Sequence, residues 1–364
     1  MTEAPVKRVK RVLLTVSGTI PTDLHGGIAA GRRPRADYLE MAKAFDADLL
    51  DYAGANARRG RFGRLLARAL GSNVALAWSA FSLRKQYEVV VTDGEQVGLP
   101  LAAFTRLTFR RPRFRHMMIV HILSVRKKER LFRLLRLGRR IDELIVYCTA
   151  QQHFVVGRLG FPAEHVTLSR FMVDTAFFDA DRVVPVDGPP LICSAGLEFR
   201  DYPTMIEAVR GLDVHVVLAA ASPWSKRQSE LEAMNVPANV EVVQLDLHQL
   251  RQLYGDASIV VMPLRETDFQ AGVTTLLEAM SMSKAIICSR TTGQTDVVID
   301  DETGIYVPVG DAAALREAIV RLLADPVSAR RLGAAARQWV TSAADIDVYV
   351  RQLAGRVDML RGCC

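Results

Sequence analysis

The stretch from Thr267 to Thr295 constrains the fold more than any other part of the chain. It contains a polar loop, DFQAG, then an apolar pattern with helical spacing, and then the buried run AIICS. The strand-like run Ile259 to Pro263 precedes the loop. A loop and a helix between two fully apolar runs are typical of a parallel sheet, whose strands are buried on both faces. This order predicts a doubly wound α/β domain with a ligand site at the carboxyl ends of its strands.

The start of the predicted helix is suited to binding an anion. After Gly272, the backbone N–H groups of Val273, Thr274 and Thr275 have no acceptor inside the helix. The helix dipole also favours negative charge at this end. We therefore expect Gly272 and the three amides to bind a phosphate group or a sugar.

The residues of this stretch resemble the signature region of the family 4 retaining glycosyltransferases. That pattern is a Glu, seven residues and a second Glu, followed by Ala-Met, a Gly-Lys turn, a hydrophobic strand and a Gly-rich segment. Here Glu278, Ala279, Met280 and Lys284 fit it in order, and AIICS and GQTDVV follow. Gln270 stands where the family has its first Glu. Further on, DETGIYVPVGD is similar to the family's Asp-Gly-x-x-Gly-x-x-Val-x-x-Gly-Asp.

The resemblance implies the GT-B fold, in which two Rossmann-like, doubly wound α/β domains face a central cleft. It also implies transfer of a sugar from a nucleoside diphosphate sugar to an acceptor with retention of configuration. We expect an acceptor-side domain over residues 1–182, a nucleotide-sugar-binding domain over 183–345, and a last helix, 346–364, that crosses back to the first domain. The length agrees, since 364 residues exceed what one core usually holds.

The resemblance assigns roles to residues of the second domain. Glu278 would bind the ribose hydroxyls, and Gln270 would contact the donor sugar. Arg200 is the candidate for the diphosphate, because Leu197 occupies the family's Arg position and an Arg fork binds phosphate oxygens bidentately. Arg200 and Gln270 are also catalytic candidates. The alternative for Arg200 is a surface ion pair with Asp201.

In the first domain the resemblance points to a histidine and two glycines. His121 lies near the end of the buried run HMMIVHILS, where the family carries a His beside the donor sugar. It is the third catalytic candidate, preferred to His116, and a core histidine is the alternative. Gly26 and Gly27 follow the first predicted strand, where the family has a Gly-Gly loop near the donor phosphates and the acceptor. A loop that merely needs positive φ is the alternative for them.

No metal or cofactor motif is present in the sequence. There is no zinc-ligand spacing, no P-loop and no Asp-x-Asp pair of the kind that metal-dependent transferases use. We therefore expect a metal-independent transferase without a cofactor, with the nucleoside diphosphate sugar as co-substrate. Backbone amides, the helix dipole and cations would offset the charge on the departing diphosphate. Gln270 and Leu197 leave a non-catalytic nucleotide-sugar binder as an alternative, and a GT-B phosphorylase or epimerase is another.

Basic residues are concentrated in the N-terminal half. From Ala55 to Arg140 there are twenty Lys and Arg against four acidic residues, a net charge of +16, whereas the whole chain carries +7. The pieces RRGRFGRLLARALG and ERLFRLLRLGRR interleave Arg with Leu and Phe, as interfacial amphipathic helices do. We predict docking on an anionic membrane and a lipid or lipid-linked acceptor. Solvated surface helices and a small anionic soluble acceptor are the alternatives. Nucleic acid is disfavoured, because no nucleic-acid-binding motif is present.

The cysteines indicate a cytoplasmic protein, and the lengths of the apolar runs indicate no membrane-spanning helix. Cys148, Cys193 and Cys288 lie in apolar strand-like runs and are expected to be reduced core thiols. No uncharged apolar run reaches the length of about eighteen residues that a membrane-spanning helix needs. The basic and apolar N-terminus is interpreted as a first strand rather than a signal peptide. Peripheral attachment to the inner face of a membrane would accompany the predicted docking, and the sequence favours no oligomeric state.

Overall fold

The computed structural model describes residues 12–58, 60–108, 113–186, 188–220 and 236–362. These residues form two compact units. The first comprises the residues up to Leu24, Ala36–Ser169 and the residues from Val350 onwards, and the second comprises His25–Arg35 and Arg170–Tyr349. The chain passes from the first unit to the second between residues 169 and 170 and returns between residues 349 and 350.

The first unit is built on a parallel sheet. Its strand order is β2-β1-β3-β4-β5-β6 in the described residues. The strands are short and mostly buried, as strands covered by helices on both faces must be. From β1 the chain adds β2 on one side of the sheet and β3 on the other, so the direction of strand addition reverses between β1 and β3. At such a point a doubly wound sheet has a crevice at the carboxyl ends of its strands. The strands are β1 (Val12–Thr15), β2 (Ala47–Leu50), β3 (Val89–Asp93), β4 (Arg115–Ile119), β5 (Glu143–Val146) and β6 (Val166–Leu168).

The helices before residue 170 differ from the predicted ones at two places. The segment DYLEMAKAFDADLL has the apolar spacing of a single helix, and the sequence predicts one there. It is instead α2 followed by β2, because Asp46 adopts a left-handed conformation with φ of 50° and ends the helix. Gly26 and Gly27 lie in the short helix α1 and not in a loop, and neither has a positive φ. The helices are α1 (Leu24–Ala29), α2 (Asp37–Phe45), α3 (Tyr52–Ala57), α4 (Arg61–Leu70), α5 (Ser72–Leu83), α6 (Glu95–Leu107), α7 (Arg126–Leu134) and α8 (Thr149–His153), the last continued by a π-helical turn, Phe154–Arg158.

The second unit also has a parallel sheet, in the order β12-β11-β10-β7-β8-β9 across the described residues. Its order reverses between β7 and β10, so their carboxyl ends mark the expected ligand crevice of this unit. Together the two sheets confirm the predicted fold class of two doubly wound α/β domains. The strands are β7 (Leu191–Ala195), β8 (His215–Ala219), β9 (Val240–Val243), β10 (Ile259–Met262), β11 (Ala285–Ser289) and β12 (Ile305–Val307).

The polar segments SPWSK and DLHQL follow strand-like runs, and the sequence predicts a loop at each. DLHQL instead begins α10, because the Asp246 side chain accepts from the Gln249 N–H while the Gln249 side chain caps the Asp246 N–H. SPWSK lies outside the described residues. The helices are α9 (Tyr202–Val209), α10 (Leu247–Asp256), α11 (Val273–Ser281), α12 (Ala312–Ala324), α13 (Pro326–Ala343) and α14 (Ile346–Gly362). No described helix is long and apolar enough to cross a membrane.

Strand β10 is packed on both faces, and this packing fixes where its carboxyl end lies. Val260 and Met262 belong to the core shared with α11 and α13, whereas Ile259 and Val261 belong to the core shared with α9 and α12. This alternation is the two-residue period of a strand buried on both faces. The loop that follows β10 therefore starts from a strand held on both sides, and it leads directly to α11.

The final helix completes the first unit. Arg356 of α14 donates from Nε and Nη2 to Glu143, at 2.8 and 2.7 Å. Glu143 opens β5 and is 1% exposed, and it also accepts a hydrogen bond from the Thr167 hydroxyl at 2.6 Å. A buried carboxylate is thus paired by a residue more than two hundred positions later in the chain.

Candidate functional site

Helix α11 begins where the sequence predicted, and its N-terminus is open. Gly272 is the N-cap residue, with φ of 71°, and no side chain caps the helix. The first intrahelical bond runs from the Leu276 N–H to the Gly272 carbonyl. The N–H groups of Val273, Thr274 and Thr275 therefore have no acceptor within the helix.

Arg200 is buried beside this helix start. It is 5% exposed, and its Nε and Nη1 donate to the carbonyls of Ala195 and Glu198, both at 2.9 Å. Nη2 reaches the Thr275 hydroxyl at 3.4 Å. Burial lowers the pKa of Arg200 from its high ordinary value. The guanidinium is thus held between the end of β7 and the first turn of α11.

Two glycines make room for the guanidinium. A Cβ added at Gly196 would stand 2.6 Å from Nη2 of Arg200, and a Cβ added at Gly272 would stand 2.6 Å from Nη1. Asp201, the expected alternative partner of Arg200, instead accepts from the Thr204 hydroxyl and caps α9. Arg200 therefore lies in the crevice at β7 and β10 rather than in a surface ion pair.

Glu278 lies two turns into α11 and is buried. It is 7% exposed, and its Oε2 accepts from the Tyr254 hydroxyl at 3.0 Å. Burial raises the pKa of Glu278 to about 8, although the Tyr254 bond and the charge of Arg200 act in the opposite direction. Sequence reasoning missed Tyr254. Its helical spacing from Leu250 indicates a buried position, but only the folded chain brings its hydroxyl to Glu278.

Gln270 is buried with its amide unpaired. It is 8% exposed, and neither Nε2 nor Oε1 has a hydrogen-bond partner in the described structure. Gln294 donates from Nε2 to the Ala271 carbonyl at 3.0 Å, while its own Oε1 also lacks a partner there. Unpaired buried polar groups are rare in folded proteins and point to a functional constraint. Gln270 thus retains its full capacity to donate and accept.

His121 belongs to the first unit, whereas Arg200, Gln270 and Glu278 belong to the second. It follows β4, its Nε2 lies 3.2 Å from Oδ1 of Asp93, and its backbone N–H donates to Glu95 at 2.9 Å.

The carboxylates around His121 control its protonation. Burial alone lowers the pKa of His121, but Asp93, Glu95 and Asp37 together more than offset this effect, so the net pKa is raised. Glu95 is itself paired with Lys128 at 2.5 Å. Sequence reasoning missed Asp93, although it ends the strand next to the one that delivers His121.

His116, to which His121 is preferred, lies in the first unit, whereas the predicted Gly26 and Gly27 lie in the second. His116 lies inside β4, is 1% exposed, and has Nε2 3.0 Å from the Thr92 hydroxyl. Burial lowers the pKa of His116 to about 4, as for a neutral core histidine. Gly27 is buried against Arg33, while a Cβ at Gly26 would meet nothing within 4 Å. Packing therefore does not require a glycine at Gly26.

The comparison with known families covers the residues of this crevice. Residues 199–325 match the family model described as glycosyl transferases group 1. The second unit resembles the group 1 glycosyl transferases. Arg200, Gln270 and Glu278 all lie within the matched range. The Escherichia coli (strain K12) protein WcaL, named as a colanic acid biosynthesis glycosyltransferase, is 27% identical over 173 residues, which are 44% of this chain and 42% of WcaL. The chain thus matches less than half the length of this curated relative.

Two solved structures show the same fold. Sucrose-phosphate synthase from Thermosynechococcus elongatus matches with a TM-score of 0.74 at 19% identity, over 98% of this chain and 100% of that one. Anabaena HepE, solved in complex with UDP-glucose, matches with a TM-score of 0.72 at 14% identity, over 96% of this chain and 99% of that one. At these identities the similarity concerns the fold, which is GT-B.

Proposed function

We propose that this protein is a retaining glycosyltransferase that uses a nucleoside diphosphate sugar and needs no metal. The observation that carries the proposal is the start of α11, where three open amides stand beside the buried guanidinium of Arg200. Both groups favour a diphosphate at the same point. The complex of HepE with UDP-glucose supports a nucleotide sugar as the donor, and the resemblance to family 4 supports retention.

The arrangement suits the charge that develops during transfer. When the bond between the sugar and the diphosphate breaks, negative charge grows on the departing oxygen. Donors that are already oriented stabilise this charge without reorganising. Arg200 is oriented by its bonds to Ala195 and Glu198, and the α11 amides are fixed by the helix. These groups would supply in this protein the stabilisation that a metal ion supplies in other transferases.

Glu278 and Tyr254 form the part of the site that we assign to the ribose. Because burial raises the pKa of Glu278 to about 8, its carboxyl group is largely protonated near neutral pH in the free protein. A protonated carboxyl can donate one hydrogen bond and accept others. Tyr254 holds one oxygen of that group and thereby fixes its orientation.

Gln270 and His121 are assigned to the donor sugar. A sugar hydroxyl both donates and accepts, and the unpaired amide of Gln270 can meet both needs. A neutral side chain at Gln270 argues against a carboxylate nucleophile there. When Asp93 accepts from Nε2 of His121, the neutral ring offers Nδ1 as an acceptor.

We further propose a lipid or lipid-linked acceptor, with the protein peripheral on an anionic membrane. The support is the basic N-terminal half and its amphipathic helices. In α4, Leu65 and Leu70 are 61% and 62% exposed, and Arg64 and Arg68 are exposed on the same helix. Apolar and cationic side chains together favour an anionic interface. A small anionic soluble acceptor is the competing proposal.

A donor screen followed by a transfer assay tests the function. Nucleotide sugars are first ranked by thermal shift, since a ligand that binds the folded state raises its unfolding temperature. Hydrolysis and then transfer to lipid-extract and aqueous acceptors are measured with the best donor, and the anomeric configuration of the product is read by NMR. Binding without hydrolysis or transfer would favour the non-catalytic binder, and an inverted product would refute retention.

A further inference from the structure

A cavity lies at the amino edge of the first unit's sheet, away from His121. Helix α7 starts beyond the carboxyl end of β4 and runs back along the sheet, so its last turn and the 3-10 turn Leu137–Arg140 lie where β5 begins. The π-helical turn that continues α8 ends at the same edge, before β6. Between these segments is a cavity of about 570 Å³.

The cavity has an apolar wall and a cationic rim. Phe132 and Phe161 form part of the wall, with ring centroids 6.4 Å apart. Arg133, Arg136 and Arg139 line the rim at intervals of three residues. We propose that this cavity binds the headgroup of an anionic phospholipid and so anchors the protein on a membrane.

The rim carries more positive charge than its carboxylate partners neutralise. Among the described residues, Arg133 pairs with Glu129 at 3.6 Å, and Glu129 is also bound by Arg158 at 2.8 Å. No carboxylate in the described part of the chain pairs with Arg136 or Arg139. Guanidinium groups around one cavity repel one another, and a phosphate among them would relieve that repulsion.

Arg136 lies just beyond the end of α7, with φ of 47° in the left-handed region. A left-handed residue commonly ends a helix, as Asp46 does for α2. The chain then enters the 3-10 turn Leu137–Arg140, so that Arg136 and Arg139 both line the cavity.

Exposed leucines distinguish a membrane from a soluble anion. Leu134, at the end of α7, is 83% exposed, and Leu107, at the end of α6, is 76% exposed. The two helix ends lie on the same edge, where Arg140 donates to the Thr108 carbonyl at 3.2 Å. A free phosphate or a nucleic acid would gain nothing from these leucines, whereas a lipid surface takes leucine into its apolar layer and binds arginine at its headgroups.

This anchoring surface is independent of the donor crevice. It deepens the lipid-acceptor part of the proposed function by assigning membrane contact to the amino edge, opposite the edge that carries His121 and Asp93. The measurement needs neither donor nor turnover. A protein that binds vesicles but transfers no sugar would contradict the proposed transferase activity and leave the anchor intact. A transferase that ignores vesicles would contradict the anchor and the proposed membrane association and leave the transferase activity intact.

The test is sedimentation of the full chain with vesicles of phosphatidylcholine, with or without phosphatidylglycerol. Replacing Arg136 and Arg139 by Gln should weaken binding to the anionic vesicles about thirty-fold, because each cation at such a surface contributes about 1 kcal/mol. The matched change in α13 of the second unit, Arg330→Gln with Arg331→Gln, removes two exposed cations that have no assigned role and should have at most a few-fold effect. Equal losses in both variants, or a loss only in the α13 variant, would overturn the inference.

A leucine variant separates a membrane from a polyanion. Leu134→Ser should weaken binding to anionic vesicles by about tenfold, since a buried leucine is worth about 1.5–3 kcal/mol. If the arginine variant loses binding while Leu134→Ser keeps it, the surface binds anions without inserting leucine, and the membrane anchor is wrong. Arg136→Gly with Arg139→Gln removes the same charges and suits the left-handed backbone at residue 136, and it replaces the first variant if that one folds poorly.

Discussion

The close approach of Gly272 to Arg200 allows a quantitative prediction. Gly272 has φ of +71°, and a Cβ there would stand 2.6 Å from Nη1 and 2.9 Å from Cζ of Arg200. The left-handed backbone alone costs alanine about 1–2 kcal/mol. The overlap also forces the guanidinium to move, which weakens its bonds to Ala195 and Glu198, each worth roughly 1.5–3 kcal/mol for a charged donor. With one such bond lost, Gly272→Ala should lower the free energy of unfolding by about 2.5–5 kcal/mol.

Gly310→Ala is the matched control for the backbone contribution. Gly310 lies in the same unit with φ of +75°, and an added Cβ would meet nothing within 4 Å. Urea unfolding should show only about 1–2 kcal/mol of loss for this variant. In calorimetry with the nucleoside diphosphate that the donor screen selects, Gly272→Ala should bind at least about tenfold more weakly, while Gly310→Ala should bind as wild type. Equal stability losses, or wild-type affinity in Gly272→Ala, would refute the placement of Arg200 beside the diphosphate.

Three further predictions concern the same crevice. Glu278→Ala should weaken nucleoside diphosphate binding by about tenfold, because the largely protonated carboxyl group makes about two hydrogen bonds to the ribose, each worth about 0.5–1.5 kcal/mol. Unchanged affinity in calorimetry would show the ribose assignment to be wrong. Gln270→Ala should lower turnover, and Gln270→Glu should retain only part of the wild-type turnover, since a carboxylate accepts hydrogen bonds but does not donate them. Full turnover in Gln270→Ala would show that Gln270 is an ordinary loop residue. The pKa of Glu278 is about 8 in the folded state and about 4.3 in the unfolded state. Between these two pH values the folded state binds one proton more than the unfolded state. The free energy of unfolding should therefore fall as the pH rises from about 4.3 to about 8. Urea titrations across pH should show this slope flattened in Glu278→Gln, and an unchanged slope would contradict the raised pKa.

The fold was predictable because its signals are local. Apolar runs such as AIICS and IVVMP became β11 and β10, since a strand covered on both faces needs no polar residue. The errors occurred where a polar residue sets a boundary. Asp46 ends α2 by adopting a left-handed conformation, and Asp246 starts α10 through a reciprocal cap with Gln249. The spacing of Asp246 and Gln249 was a readable helix-start signal.

Only those parts of the candidate site that lie within one continuous segment could be predicted from the sequence. The open amides of α11 follow from a glycine before a helix, and both are contiguous in the sequence. The bond between Tyr254 and Glu278 and the bond between Asp93 and His121 join different elements, so no spacing reveals them. The burial that raises the pKa of Glu278 is likewise a property of packing.

The pairing of Arg356 with Glu143 bears on the order in which the chain matures during synthesis. Glu143 opens β5 in the middle of the first unit, yet its guanidinium partner emerges from the ribosome more than two hundred residues later. Until then the nascent first unit must keep a carboxylate hydrated that its finished form buries, because an unpaired buried charge is strongly unfavourable. The second unit, whose residues end at Tyr349, can complete its contacts earlier. Most of the first unit is synthesised before the second, yet the first unit completes its contacts last. A nascent chain on a ribosome stalled before residue 356 should therefore be cleaved by proteases in its first unit.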